Sequence, residues 1–463
     1  MLIFNDMKTF GEILTAAAVL AVSCGGPRVT DGADNRQTGS GPGGSLDTRT
    51  EISADPAKAG NFYYIYDDCD EAPMTKPPRG YKPFYISHLG RHGARWGLLY
   101  QYDTVMNALA RAEKAGALTP RGEKLLRDYR PFYERASLME GELTGKGARQ
   151  LKSIAARMYR RFPEVFRGPT RGTAIATTVP RVIMSMENTV EELHRQDPSL
   201  DIDAAASNAL LEVLTPNVST LDFTRPLTVR EIQKPAWEWQ RDSVDIGGIT
   251  SRLFSRPEAA GTDLSVFTGW LHAIKCSVLC LDDPQEDMFE GLFTPEEEYA
   301  LAKAYGYRIL SYLGNIEGSG TLFPVFSAYT LKDILDRAQE DIASGETQLR
   351  LRFTHDSALL PMIVLMDIDG LGKQTYGPDD SYELFPLYKV PMASSLQFVF
   401  FRNGKGDILL KVLFNEREAT LPLEPVSGPY YRWSDVLEHY GGVIGNALAE
   451  VDSAREAAKL FQK

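Results

Sequence analysis

The chain reads as an α/β protein, a central sheet flanked by helices, with a smaller helical domain inserted between two halves. Three observations lead there. Strand-like and helix-like segments alternate towards both ends of the chain, the pattern of a layered α/β domain. The middle, from 221 to 315, carries mainly helical cues. A length of 463 residues, 43% hydrophobic and 24% charged, suits a large globular core. The two halves of the α/β domain then run 51–220 and 316–463.

The elements follow in chain order. Lys8 precedes an apolar run, Ile13 to Val22, that ends at Ser23-Cys24-Gly25-Gly26. The run is too short to span a bilayer and fits a signal segment. Residues 1–24 therefore read as a lipoprotein-type signal with Cys24 as the lipidated residue. This predicts an exported protein, periplasmic or tethered at the outer membrane, touching the membrane only through its lipid. Residues 25–50, rich in Gly, Pro, Ser and Asp, read as a flexible tether. Phe84 to Leu89 is strand-like and leads into Gly90-Arg91-His92-Gly93. Thr104 to Ala115 reads as a helix stopped at Gly116. Thr144 can cap a helix that puts Leu151, Ile154, Ala155 and Met158 on one face. Thr173 to Thr177 reads as a strand and Arg181 to Gln196 as a helix. Thr294-Pro295-Glu296-Glu297 combines an N-cap, a first-turn proline and a capping-box glutamate. Leu349, Leu351 and Phe353 alternate with Arg350 and Arg352, which predicts a half-buried strand ending at Thr354-His355-Asp356. Phe398 to Phe401 and Ile408 to Phe414 flank a Gly-rich turn and predict a hairpin.

Charge and cysteine content narrow the function. A formal net charge of -12 argues against nucleic acid as a partner, because duplex binding needs a basic face. It leaves room for a small anionic substrate in a locally basic pocket. With Cys24 modified, Cys69, Cys276 and Cys280 remain, and an odd count makes no complete disulfide framework. Cys276 and Cys280 have only His272 nearby, so they read as buried apolar residues rather than zinc ligands. His88 and His92 have a zinc-like spacing, but that spacing needs a helix and this run is a strand. The acidic run 282–298 reads as a solvated face rather than a calcium loop. No metal and no cofactor are expected.

The chemistry centres on Arg91-His92-Gly93-Ala94-Arg95. Phosphoryl transfer is catalysed by positioning and by electrostatic stabilisation of three charged oxygens. Arginine supplies paired charged hydrogen bonds for that task, and glycine lets the backbone come close. A second candidate, Thr354-His355-Asp356, also follows a strand, and two strand ends of one sheet can converge on a ligand. A third is Thr178-Val179-Pro180-Arg181. A cation at a helix start opposes the dipole, so an inward Arg181 calls for an anion.

Together these segments resemble the histidine acid phosphatase family, the longer-chain branch of the histidine phosphatase superfamily. Its R-H-G-x-R opening is matched by Arg91 to Arg95. Its L-T-x-x-G-x-x-Q segment is matched by Leu143, Thr144, Gly147 and Gln150. Thr178, Arg181 and Ser185 match T-x-x-R-x-x-x-S, and His355-Asp356 matches the C-terminal H-D. The resemblance spans roughly residues 80 to 415 and is similar in its opening to bacterial phytases and inositol polyphosphate phosphatases. The latter usually carry H-A-E where this chain has His355-Asp356-Ser357. The resemblance implies a phosphoglycerate-mutase-like α/β domain, and a small phosphorylated substrate cleaved through a phosphohistidine on His92. Arg91, Arg95, Arg181 and His355 would bind the phosphoryl group and Asp356 would protonate the leaving oxygen, favouring mildly acidic pH. The competing readings are a mutase-like phosphotransferase and a lipoprotein that binds a phosphorylated ligand without cleaving it.

Overall fold

The computed structural model describes residues 47–65, 72–216, 232–284, 286–318 and 322–461. The signal, Cys24, most of the tether and Cys69 lie outside the described residues. All described residues fall in one of the chain's two compact units, Leu46–Lys463.

A mixed sheet organises this unit. Its strands are β1 (Lys82–Arg91), β2 (Arg171–Ala176), β3 (Asp201–Ala206), β4 (Leu349–Thr354), β5 (Ser395–Arg402), β6 (Ile408–Phe414), β7 (Arg417–Glu418) and β8 (Tyr431–Arg432). The order is β3-β2-β4-β1-β5-β6-β7, with β8 beside β6. From β3 to β1 the neighbours are parallel, and from β1 onwards antiparallel. The expected β5–β6 hairpin is present. Its turn is closed by the Asn403 side chain, which accepts from the backbone N–H of Lys405 and of Asp407.

The helices that matter here are α1 (Leu99–Lys114), α2 (Pro120–Leu138), α3 (Gly145–Arg161), α4 (Pro180–Gln196), α5 (Lys234–Ser243), α6 (Leu264–Ser277), α7 (Pro295–Leu313), α8 (Leu322–Ser344), α9 (Asp356–Leu365) and α10 (Trp433–Phe461). Side chains of period two split the sheet into two buried faces. Tyr85, Leu89, Phe398, Phe400, Leu410 and Val412 meet Phe326, Leu335, Leu360 and Tyr440 of α8, α9 and α10. Ile86, Leu351, Phe353, Val399 and Leu413 meet Leu151, Met158, Val182 and Leu193 of α3 and α4.

One expectation changes. The strand β4 is not half-buried, because helices cover both its faces. Arg352 is only 2% exposed and pairs with Asp333 at 2.7 Å, while Arg350 pairs with Asp341 at 2.6 Å. Both carboxylates lie on α8, so the alternating arginines mark partly buried ion pairs beneath that helix rather than a wet face.

A third apolar core lies in a helical layer. Tyr102, Leu109, Leu125 and Phe132 of α1 and α2 share it with Leu253, Phe267, Leu271 and Leu292 from the middle of the chain. Trp96, immediately after the arginine-histidine motif, roots in this core. The loop carrying the motif is thus held between the sheet and the helical layer. Cys276 and Cys280 are buried and form no disulfide, in keeping with their reading as buried apolar residues.

Candidate active site

Three adjacent parallel strands, β2, β4 and β1, end at the same edge of the sheet. The segments that follow them therefore meet just beyond that edge, where open α/β sheets place their ligands. These segments carry Thr177 to Arg181, His355-Asp356 and His92 to Arg95. Arg91 pairs in register with Thr354. The His92 N–H donates to the Thr354 carbonyl at 3.1 Å, and the Ala393 N–H donates to the His92 carbonyl at 3.0 Å. The backbone of His92 is so fixed from two sides.

The imidazole of His92 is buried. Its Nδ1 lies 2.9 Å from the Gly93 carbonyl, which can only accept, so Nδ1 carries the proton and Nε2 keeps its lone pair. Burial, reinforced by Arg181, Arg91, Arg95 and His355, holds the ring neutral well below the usual histidine range. The ring of His355 stands 5.6 Å away, with its Nε2 3.2 Å from the Thr177 hydroxyl. Burial, then Arg181, pulls His355 down to about 3.

Three guanidinium groups surround this pair. Arg91 donates to the carbonyls of Phe62 (2.8 Å) and Val390 (3.0 Å) and forms an ion pair with Asp356 at 2.6 Å. Arg95 donates to the Trp96 carbonyl at 2.7 Å and lies over the Tyr63 ring. Arg181 follows Pro180 in the first turn of α4. Its Nε and that of Arg95 are buried without hydrogen-bond partners among the described residues. Burial and the nearby Arg95 pull Arg181 down to about 9. Against these cations stands Asp356, in the first turn of α9. Burial pushes its carboxyl up, but Arg91, Arg95, His355 and Arg181 outweigh that and hold it below the usual carboxylate range. Three cations, one carboxylate and the unpartnered Nε–H donors of Arg91, Arg95 and Arg181 make a cradle for an anion of high charge.

This arrangement agrees with what the sequence is similar to. Residues 87–415 match the family described as the histidine phosphatase superfamily (branch 2). The chain belongs to that family. It is an enzyme of the phosphatase class, which hydrolyses phosphate esters. Among curated proteins none matches. Solved structures share the fold at low identity. The multiple inositol polyphosphate phosphatase of Bifidobacterium longum, in complex with inositol hexasulfate, has a TM-score of 0.67 at 17% identity, covering 82% of this chain and 96% of that one. The phytase from D. castellii has a TM-score of 0.62 at 13% identity, covering 85% of each chain.

All six site residues named from the sequence stand together in this branch 2 phosphatase. What the motifs did not reveal is how the loop is held. The Ala94 carbonyl accepts from the backbone N–H of Thr144 (2.9 Å) and from its hydroxyl (3.1 Å). The Ala94 N–H donates to Gln150 Oε1 at 2.9 Å. Gly93 and Gly147 face each other so closely that a Cβ on Gly147 would lie 2.2 Å from the Ala94 carbonyl oxygen, and one on Gly93 2.6 Å from the Gly147 oxygen. Ser185 accepts from the Gly93 N–H at 3.1 Å and donates to the Arg181 carbonyl at 2.7 Å, tying the His92 loop to α4. The signal available was the spacing of Thr144, Gly147 and Gln150, three residues apart at a helix start.

The zinc-like spacing of His88 and His92 leads elsewhere. His88 lies on β1 with its ring folded over Gly90 and against Phe353, 5.5 Å between centroids. Part of the acidic run is spoken for as well, since Glu297 pairs with Arg252 at 2.8 Å and Asp282 with Arg149 at 2.7 Å.

Proposed function

We propose that this phosphatase cleaves small phosphomonoesters by a two-step reaction in which His92 becomes transiently phosphorylated. One observation carries the reading: a buried, neutral imidazole with Nε2 unprotonated sits within a nest of three arginines. Nε2 attacks phosphorus, the P–O bond to the alcohol breaks, and the leaving oxygen takes the proton of Asp356. Water then attacks the phosphohistidine, returns a proton to Asp356, and phosphate departs. Arg91, Arg95, Arg181 and His355 hold the phosphoryl oxygens throughout. Each charged hydrogen bond contributes about 1.5–3 kcal/mol, so loss of one arginine should cost at least roughly tenfold. His355-Asp356-Ser357 and the low identity to the inositol polyphosphate phosphatase leave phytate as one substrate among several, alongside sugar phosphates.

The test is His92→Ala on p-nitrophenyl phosphate. Turnover should vanish, and the acid-labile phosphoenzyme trapped from the unaltered protein should be missing. Retained turnover would end the nucleophile assignment. Phosphate binding without any hydrolysis by the unaltered protein would instead favour a ligand-binding role.

For the N-terminal segment we infer export with a lipid on Cys24, resting on its sequence alone. Labelling cells with radioactive palmitate should mark the protein, and Cys24→Ser should abolish the label.

A further inference from the structure

The guanidinium of Arg91 is held by backbone that lies outside the motif. Its Nη1 donates to the carbonyls of Phe62 and Val390, at 2.8 and 3.0 Å. Both acceptors are neutral, so they orient the planar fork without cancelling the charge that attracts phosphate. Phe62 belongs to the short helical segment Pro56–Tyr63, which precedes the family match beginning at residue 87. The next residue, Tyr63, is buried, sets its ring beneath the Arg95 guanidinium at 5.4 Å and donates its hydroxyl to Gln101 Oε1 at 3.2 Å. Two consecutive residues of this segment thus touch two of the three arginines in the cradle.

The chain reaches those positions through a strained turn. Asn61 has φ 53° and ψ -119°, a backbone conformation that side chains other than glycine seldom adopt. Such strain persists only where the surroundings enforce it. Here they do. Asn61 is 2% exposed, its Nδ2 donates to the Ala302 carbonyl on α7 at 2.9 Å, and its Oδ1 accepts from the Tyr382 hydroxyl at 3.1 Å. Tyr382, on the short helix Pro378–Leu384, packs its ring so tightly on Gly306 of α7 that a Cβ there would lie 2.4 Å from it. Beyond the turn, the Tyr64 carbonyl accepts from the Met392 N–H at 2.9 Å. That second segment also supplies the Val390 carbonyl on Arg91 and the Ala393 N–H on the His92 carbonyl. A glycine could make the turn without strain, but it would lack the two hydrogen bonds that fix the turn in place.

We propose that Asn61 is a positioning residue of the phosphoryl cradle. Its amide, clamped between Ala302 and Tyr382, turns the backbone so that the Phe62 carbonyl fixes Arg91 and the Tyr63 ring backs Arg95. Asn61 itself touches no reacting atom. The proposal rests on the reading of Arg91 as a ligand of the phosphoryl group.

The experiment is a double-substitution cycle with Asn61→Ala and Arg91→Ala, read as KM for p-nitrophenyl phosphate and as the inhibition constant of inorganic phosphate. In Asn61→Ala both constants should rise roughly tenfold, because Arg91 loses the acceptor that orients it. Arg91→Ala should raise them at least as far. In the doubly substituted protein Asn61→Ala should add no more than about twofold, since no guanidinium is left to position. A turn that serves only the stability of the fold would cost the same factor with or without Arg91, and that additivity would overturn the proposal. So would unchanged constants in Asn61→Ala. Should Asn61→Ala fail to fold, Tyr382→Phe removes only the hydroxyl bonded to Asn61 Oδ1. It should raise the inhibition constant of phosphate severalfold, and an unaltered value would overturn the proposal. Arg91→Ala that leaves both constants unchanged would take Arg91 out of the site and the proposal with it, a failure of the underlying reading that shows without any change at Asn61.

Discussion

At the scale of single residues, the proposed mechanism makes the charge on Asp356 decide when the reaction can run. In the ligand-free site the carboxylate is paired with Arg91 and held below its ordinary range, so at mildly acidic pH it has no proton to give. A bound phosphate dianion changes that balance, because it neutralises the same arginines that hold the carboxylate down. Phosphate can also take over Arg91 Nη2, leaving Asp356 without its counter-ion. On the proposed mechanism the acid is therefore generated by substrate binding. The pH dependence of kcat/KM reports the free enzyme and that of kcat the complex. The alkaline limb of kcat should accordingly lie at higher pH than that of kcat/KM, once the substrate's own ionisation is removed. Asp356→Asn should erase the limb in kcat. It should also slow alkyl phosphates by about 10²–10⁴-fold and aryl phosphates far less, since phenolate leaves without a proton. Coincident limbs, or equal losses on both ester types, would count against this role.

At the scale of elements, the site is a product of strand order. β2, β4 and β1 are neighbours although some 260 residues separate the ends of β1 and β4 in sequence. That adjacency brings His92, Arg181 and His355 together, and each is legible as a motif following a strand. The strands β1, β2, β4, β5 and β6 and the helices α1, α3, α4 and α7 were legible too, because the periodicity of apolar residues and the capping residues are local signals, whereas β3, α2, α8 and α10 were not read. Two further things were not legible. The alternation of Arg350 and Arg352 on β4 looks like a wet face, and only the fold shows α8 with Asp333 and Asp341 opposite them. The contact between Gly93 and Gly147 is of the same kind. Neither glycine needs an unusual backbone angle there, so the requirement is pure close approach. Gly147→Ala puts a methyl group into the Ala94 backbone, and the loop must move away from α3. Overpacking of this sort costs about 1–3 kcal/mol. We expect a lowered melting temperature together with a fall in kcat on p-nitrophenyl phosphate. A variant that loses stability but keeps kcat would show that the loop tolerates the shift.

At the scale of the whole molecule, the cores that position the site also bury histidines that take no part in it. His88 lies on β1 against Phe353, and His272 lies on α6, edge-on to Phe293 and 3.7 Å from the Cys276 sulfur. Burial is the main cause that pulls both of them, and His355, down to about 3. In the unfolded chain these rings titrate near the ordinary value. Between about pH 6.5 and 3 the unfolded chain therefore takes up protons that the folded chain refuses. A neutral buried histidine contributes stability in full above that window and loses it as the pH falls. The slope is about 1.4 kcal/mol per pH unit for each such residue. Asp356 acts in the same direction at still lower pH, because its lowered ionisation is lost on protonation. Acid thus favours the proposed proton donor while weakening the fold that carries it, and bound phosphate, which would prefer the folded arginine cradle, opposes the weakening. His272 isolates the effect, since it takes no part in the site. Unfolding by urea at a series of pH values from 7 to 4 should show stability falling with pH. In His272→Leu the fall should be shallower by about 1.4 kcal/mol per pH unit, whatever the variant costs at neutral pH. Parallel pH dependences for the two proteins would show that this histidine exchanges its proton as freely in the folded chain as in the unfolded one.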